Sequence, residues 1–349
     1  MFDSIRFAVP VLFMMVCLCS CVRREFTQEE MEELVRKIQR TDENIPLNRY
    51  DSVEKGADEI LSFCRKVKPN DKVYYAVSFA RNMKGLCCSR RGDESAAEEY
   101  YISALKTADK ISKNQMYWVP AKSFIYRNLV ALHARHPEKR DIIFAQWEAL
   151  FRSYYDSDIS GKKSRPFLDI VLTHQWAMID TKTEFLIECG KLDEAEKLIK
   201  NYLDMISGFY SEPEKKYEWT ILLYDQLAEI YHKKNNIPQM NFWIGKCLTL
   251  SNKGGHFPFS CYLILIRQSQ KDGKWDKAVE YCRKGMELCD KDHLGKNINV
   301  KGRLLLLLAD SYFQAGDIEN AKKAFLQAES MNPPPEFLKK IRTKLKKNL

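Results

Sequence analysis

The 349-residue sequence has little of the two residues that punctuate chains, with 14 glycines and 12 prolines. That scarcity argues against a turn-rich β fold and for long, uninterrupted helices. It lacks GxxxxGK[ST], GxGxxG and GxSxG, so nucleotide-binding and hydrolase readings have no support. Its 11 cysteines form no CxxC pair, and no Cys/His spacing suits zinc. His133 and His136 stand three apart without an HExxH arrangement, so no metal site is expected there. No apolar run reaches the roughly 20 residues that a spanning helix needs. A basic body is absent too. The tail "EFLKKIRTKLKKNL" holds six Lys/Arg against one Glu, which is most of the net charge of +9. The nearly balanced remainder argues against a nucleic-acid partner.

What the chain does have begins at its first residues. In "MFDSIRFAVPVLFMMVCLCSCVRREF", Arg6 precedes an apolar run from Phe7 to about Cys19, followed by small residues. This is the layout of a secretory signal. The stretch "LCSC" resembles the lipobox of bacterial lipoproteins. Leu18, Cys19 and Ser20 fit a peptidase cleft, and the Cys21 sulfur would take the diacylglycerol. An ordinary signal peptide or a short anchor is the alternative. Arg23 and Arg24 favour the latter, because positive charge tends to stay on the cytoplasmic side. After Cys21 the residues "VRRE" place two arginines where a surface-export flag is acidic, which points to the periplasmic side. Eight cysteines remain in the body. They read as small core residues rather than as a disulfide framework.

The stretch "LADSYFQAGDIENAKKAF" holds the internal pattern. Leu308, Ala309, Tyr312, Gly316, Ala321, Phe325, Ala328 and Pro333 alternate large, small, aromatic and turn residues at fixed offsets. Partial copies lie upstream. They use Leu265, Ile266, Gly273, Ala278, Cys282 and Gly285; then Leu227, Ala228, Tyr231, Met240, Ile244 and Cys247. Gly190, Ala195, Ile199 and Tyr202 give another copy, and Gly85, Gly92, Ala97, Tyr101 and Ala104 one more. Ala57, Leu61, Cys64 and Pro69 give a half copy. The pattern suits two antiparallel helices crossing closely at the small residues. Gly316 would end the first helix in the left-handed conformation, and Asp317 would cap the second. The spacing is irregular, since Gly273 and Gly316 are 43 apart, and residues 113–180 fit worst. There a helix, a turn near Pro137, a second helix and a long helix from about Pro166 are expected.

These residues resemble the tetratricopeptide-repeat family. The resemblance implies an all-α fold, a right-handed α-solenoid of about seven helix pairs. The expected organisation is a signal peptide at 1–20, the solenoid at 21–334 and a basic amphipathic capping helix at 335–349. In that helix Phe337, Ile341 and Leu345 share one face, and docking on an anionic lipid surface is the alternative.

No catalytic constellation is evident. Glu94 and Ser95 lack the Gly-rich continuation of the lytic transglycosylases found on some periplasmic α-superhelices. Glu29, Glu30, Glu32 and Glu33 sit near a helix N-terminus, where the macrodipole favours them. The resemblance instead implies a binding groove lined by the first helix of each pair. Counting offsets places Asp225, Glu229, His232 and Lys233 in one unit. It places Arg267, Gln270 and Lys271 in the next, and Arg303, Asp310, Phe313 and Gln314 in the last. Arg267 and Asp310 stand where the family's carboxylate clamp needs asparagine, which argues against a chain-terminal carboxylate ligand. The expected function is a non-enzymatic, lipid-anchored periplasmic scaffold for a protein or peptide, with no cofactor. The alternatives are the sensory module of a signalling system and a cell-wall enzyme with an unrecognised site.

Overall fold

A computed structural model describes residues 27–45, 47–113, 115–155, 165–209, 213–254, 257–291, 298–331, 338–339 and 341–343. The signal segment, Cys21, Phe337 and Leu345 lie outside them. Among the described residues all regular structure is helical. The helices are α1 (Gln28–Asn44), α2 (Tyr50–Cys64), α3 (Asp71–Arg90), α4 (Glu94–Ala108), α5 (Trp118–Leu132), α6 (Pro137–Tyr155) and α7 (Arg165–Glu188). They continue as α8 (Leu192–Phe209), α9 (Pro213–Lys233), α10 (Ile237–Gly254), α11 (Phe259–Lys271), α12 (Trp275–Lys291), α13 (Ile298–Gln314) and α14 (Ile318–Ser330). Packing divides the chain into two units, Met1–Lys182 and Thr183–Leu349.

Within each unit the helices stack as successive antiparallel pairs, α3 with α4, α9 with α10 and α13 with α14 among them. The fold is the expected all-α solenoid type. Its turns explain the pairing. At Gly316 the backbone takes φ +84°. The Gly316 N–H then donates to the Phe313 carbonyl, and the Asp317 N–H to the Tyr312 carbonyl. These two bonds satisfy carbonyls that the helix end would otherwise leave open. The same pair of bonds recurs at Gly92, Gly190 and Gly273, and at Asn235. Asp93, Asn236 and Asp317 then cap the next helix, each accepting from the backbone N–H three residues on. Five residues beyond each left-handed position lie Ala97, Ala195, Met240, Ala278 and Ala321, all without exposed surface. Gly85 shows how close the crossing is. A Cβ built there would stand 2.6 Å from the Tyr101 ring.

The poorly matching middle is helical as the sequence suggests. Pro137 opens α6, where its missing N–H costs nothing, and α7 begins at Arg165. The acidic start of α1 is a capping box. Thr27 Oγ1 accepts from the Glu30 N–H, and the Thr27 N–H donates to the Glu30 carboxylate. The eight body cysteines are free thiols, all buried except Cys189. At the C-terminal end Ile341 is buried in the cluster that includes Leu308, Ala309 and Phe325, and Leu338 packs against it. Arg342 pairs with Glu329.

Candidate functional site

The residues expected to line a groove belong to α9, α11 and α13 of the second unit. These three helices lie side by side, α11 packing against both neighbours. On the same three helices Leu227, Ile266, Leu304 and Ala309 are buried in the core. Lys233, Arg267, Lys271 and Gln314 are exposed. Glu229, His232, Gln270, Arg303, Asp310 and Phe313 are half-buried.

Asp225 departs from expectation. It is only 7% exposed and does not face solvent. Its carboxylate accepts from the Ser260 N–H at 2.9 Å and the Cys261 N–H at 2.7 Å. Both donors are in the first turn of α11, where Pro258 has no side-chain group to cap them. Asp225 supplies from α9 the cap that α11 lacks. Burial pushes its pKa up to about 6, against the lowering effect of those N–H bonds.

The half-buried residues tie neighbouring helices together. Glu229 accepts from the Ser260 hydroxyl at 3.0 Å. Gln270 donates to Ser311 Oγ at 3.0 Å. The Arg303 guanidinium sits 5.0 Å over the Phe259 ring, and Phe313 packs against the core. His232 is held below its usual pKa by burial first, and then by Lys233 and Arg267. That coupling places Arg267 of α11 within electrostatic reach of the end of α9. Lys233, Arg267 and Lys271 make no ion pair among the described residues. Cations elsewhere are commonly matched, as in Lys84 with Asp58, Arg91 with Glu54 and Lys323 with Glu319. Chemically, this face offers unmatched positive charge beside a half-buried imidazole, suited to carboxylates and carbonyls of an extended segment.

Offset counting did not find a second constellation, Asp225, Cys247 and Cys261, whose ligand-type atoms all lie within 4.8 Å of one another. The sequence separations of 22 and 14 follow no ligand motif, and each residue comes from a different helix. The His133 and His136 rings meet edge-on with centroids 6.2 Å apart. His133 Nε2 lies 3.2 Å from the Glu98 carboxylate. Among the described residues no helix is long and apolar enough to cross a membrane.

Comparison with known proteins identifies the repeat. The family model described as tetratricopeptide repeat matches residues 302–335, the stretch holding most of α13 and all of α14. No curated protein matches the chain. Among solved structures, NprR in complex with its cognate peptide NprX aligns with a TM-score of 0.50 at 14% identity. The alignment covers 91% of this chain and 81% of that one. The apo form of RapI aligns at 0.49 with 11% identity, covering 92% and 90%. PilF of Pseudomonas aeruginosa aligns at 0.40 with 16% identity, covering 76% and 97%. At these identities the likeness to NprR is one of fold.

Proposed function

We propose that this tetratricopeptide-repeat protein is a non-enzymatic adaptor that holds a peptide or protein segment on the α9–α11–α13 face and is tethered to the periplasmic side of a membrane through Cys21. The observation that carries the binding half is the set of three exposed cations, Lys233, Arg267 and Lys271, without acidic partners among the described residues. Unmatched charge adds little to the stability of a surface but is available to a partner's carboxylates. The half-buried Glu229 and Gln270 lock the helices that present it. NprR, whose structure holds a cognate peptide, supports the reading by its shared fold. The tether rests on "LCSC" after the apolar run. Acyl chains on one residue give stable anchoring, at about 0.8 kcal/mol per buried CH₂.

Two experiments test the two halves separately. Exchanging Arg267→Glu and Lys271→Glu together should leave the far-UV spectrum and melting temperature within a few degrees of wild type. It should also remove the dominant partner captured from crosslinked cell envelopes. An unchanged partner set would refute this binding face. Cys21→Ala should shift the protein out of the membrane fraction and abolish incorporation of labelled lipid. Continued labelling would refute the lipid anchor without touching the binding face.

A further inference from the structure

Three side chains from three consecutive helices meet inside the second unit: Asp225 on α9, Cys247 on α10 and Cys261 on α11. They are 7%, 0% and 0% exposed. We propose that this triad binds a zinc-type divalent cation through the Asp225 carboxylate and the Cys247 and Cys261 thiolates, clipping α9, α10 and α11 together. Two thiolates and a carboxylate are a donor set that suits zinc. With Zn–S near 2.3 Å and Zn–O near 2.0–2.2 Å, tetrahedral ligands stand about 3.5–3.9 Å apart. The ligand atoms here are all within 4.8 Å, so the triad closes on an ion by a contraction of about 1 Å or less.

The surroundings orient the ligands. Each Asp225 oxygen receives one backbone N–H, from Ser260 or Cys261, and the Cys261 thiol, which also bonds Asp225, would free its place for the ion on losing its proton. Such bonds fix a metal-binding carboxylate in place. They also set the ion's surroundings at the N-terminus of α11. Binding would release two protons, one from each thiol, and leave a net charge of −1 that the α11 dipole favours. The Cys247 thiol, which lies 3.3 Å from the Ile221 carbonyl, would give up that bond on losing its proton. Three protein ligands leave a fourth position for water. The clip would sit directly beneath the proposed recognition face. Glu229 lies one turn beyond Asp225 and is bonded to Ser260, the neighbour of Cys261.

The test uses the full chain purified without chelator, then dialysed against excess zinc and desalted. One zinc per chain is expected by elemental analysis. Cobalt in its place should give thiolate-to-cobalt charge-transfer absorption in the near ultraviolet. Cys247→Ser and Cys261→Ser should each remove that absorption, and Asp225→Asn should weaken zinc affinity at least tenfold. Zinc should raise the melting temperature of wild type and not of the Cys247→Ser protein. Should a serine variant fail to fold, wild type remains decisive. Folded wild type that retains no zinc, or whose Cys247 and Cys261 are found joined in a disulfide, overturns the proposal.

Discussion

Trp147→Ala is expected to destabilise the first unit by about 3–5 kcal/mol, the cost of removing a fully buried indole and leaving a cavity. Trp147 on α6 has no exposed surface. Its ring runs parallel to that of Phe144, with centroids 6.4 Å apart and planes 5° apart, and stacks on Tyr126 of α5 at the same distance. Its Nε1–H donates to the buried Ser123 hydroxyl at 3.1 Å. Alanine would strand that hydroxyl and add about 1 kcal/mol or more. A typical domain has only about 5–15 kcal/mol in all. Urea unfolding followed by circular dichroism should show the α1–α6 stack melting at much lower denaturant. Ser123→Ala alone should cost about 1 kcal/mol, and the double variant less than the sum, because the two side chains share one bond. Strict additivity would show that the α5–α6 contact is not made through this pair.

Trp147 also shows where sequence reading ran out. The repeat offsets located the left-handed turn at Gly316 because few residues other than glycine take that conformation cheaply. They located Ala97, Ala278 and Ala321 because only small side chains allow that helix crossing. Asn235 occupies the same left-handed position with φ +54°, yet no glycine marks it. Asparagine tolerates the conformation but is common elsewhere, so its signal is weaker. The α5–α6 pair carries large aromatic side chains in place of the small-residue code, and there only helix periodicity was legible.

The recognition face divides in the same way. Asp225, Glu229 and His232 fall on one stripe of α9 by helical spacing, and spacing alone predicts the same exposure for all three. Exposure differs because the first turn of α11 sits over Asp225 and leaves His232 half-open. That overlap is set by where α11 begins, a tertiary fact with no local mark in α9. The approach of Cys247 to Cys261 has the same origin. As sequence, each looked like any other small core residue. Local motifs report turns and close crossings well, and report poorly what one repeat brings to the next.

The second large effect is on pH. His174, on α7, is buried, with its ring edge-on to Phe124 at 5.0 Å. Burial first, and then the nearby Arg127 guanidinium, push its pKa down to about 3. In the unfolded chain the imidazole titrates near 6.5. Between those values the unfolded chain holds a proton that the native chain does not, so native stability rises with pH across this window. The contribution is fully present above about pH 6.5 and is lost as pH falls towards 3. At pH 4.5 the loss amounts to about 2–3 kcal/mol relative to pH 7.5. Asp42 in the same unit works in the opposite direction. Burial raises its pKa to about 6, so the native state holds its proton more tightly and gains stability as pH falls towards 4. A raw pH profile therefore mixes the two. Comparing wild type with His174→Leu at both pH values removes the Asp42 contribution, which is common to the two proteins. The expected result is a variant that loses about 2–3 kcal/mol less than wild type between pH 7.5 and 4.5. Equal losses in the two proteins would mean that the native imidazole takes up a proton in place, and that the α7 core is wet at this point.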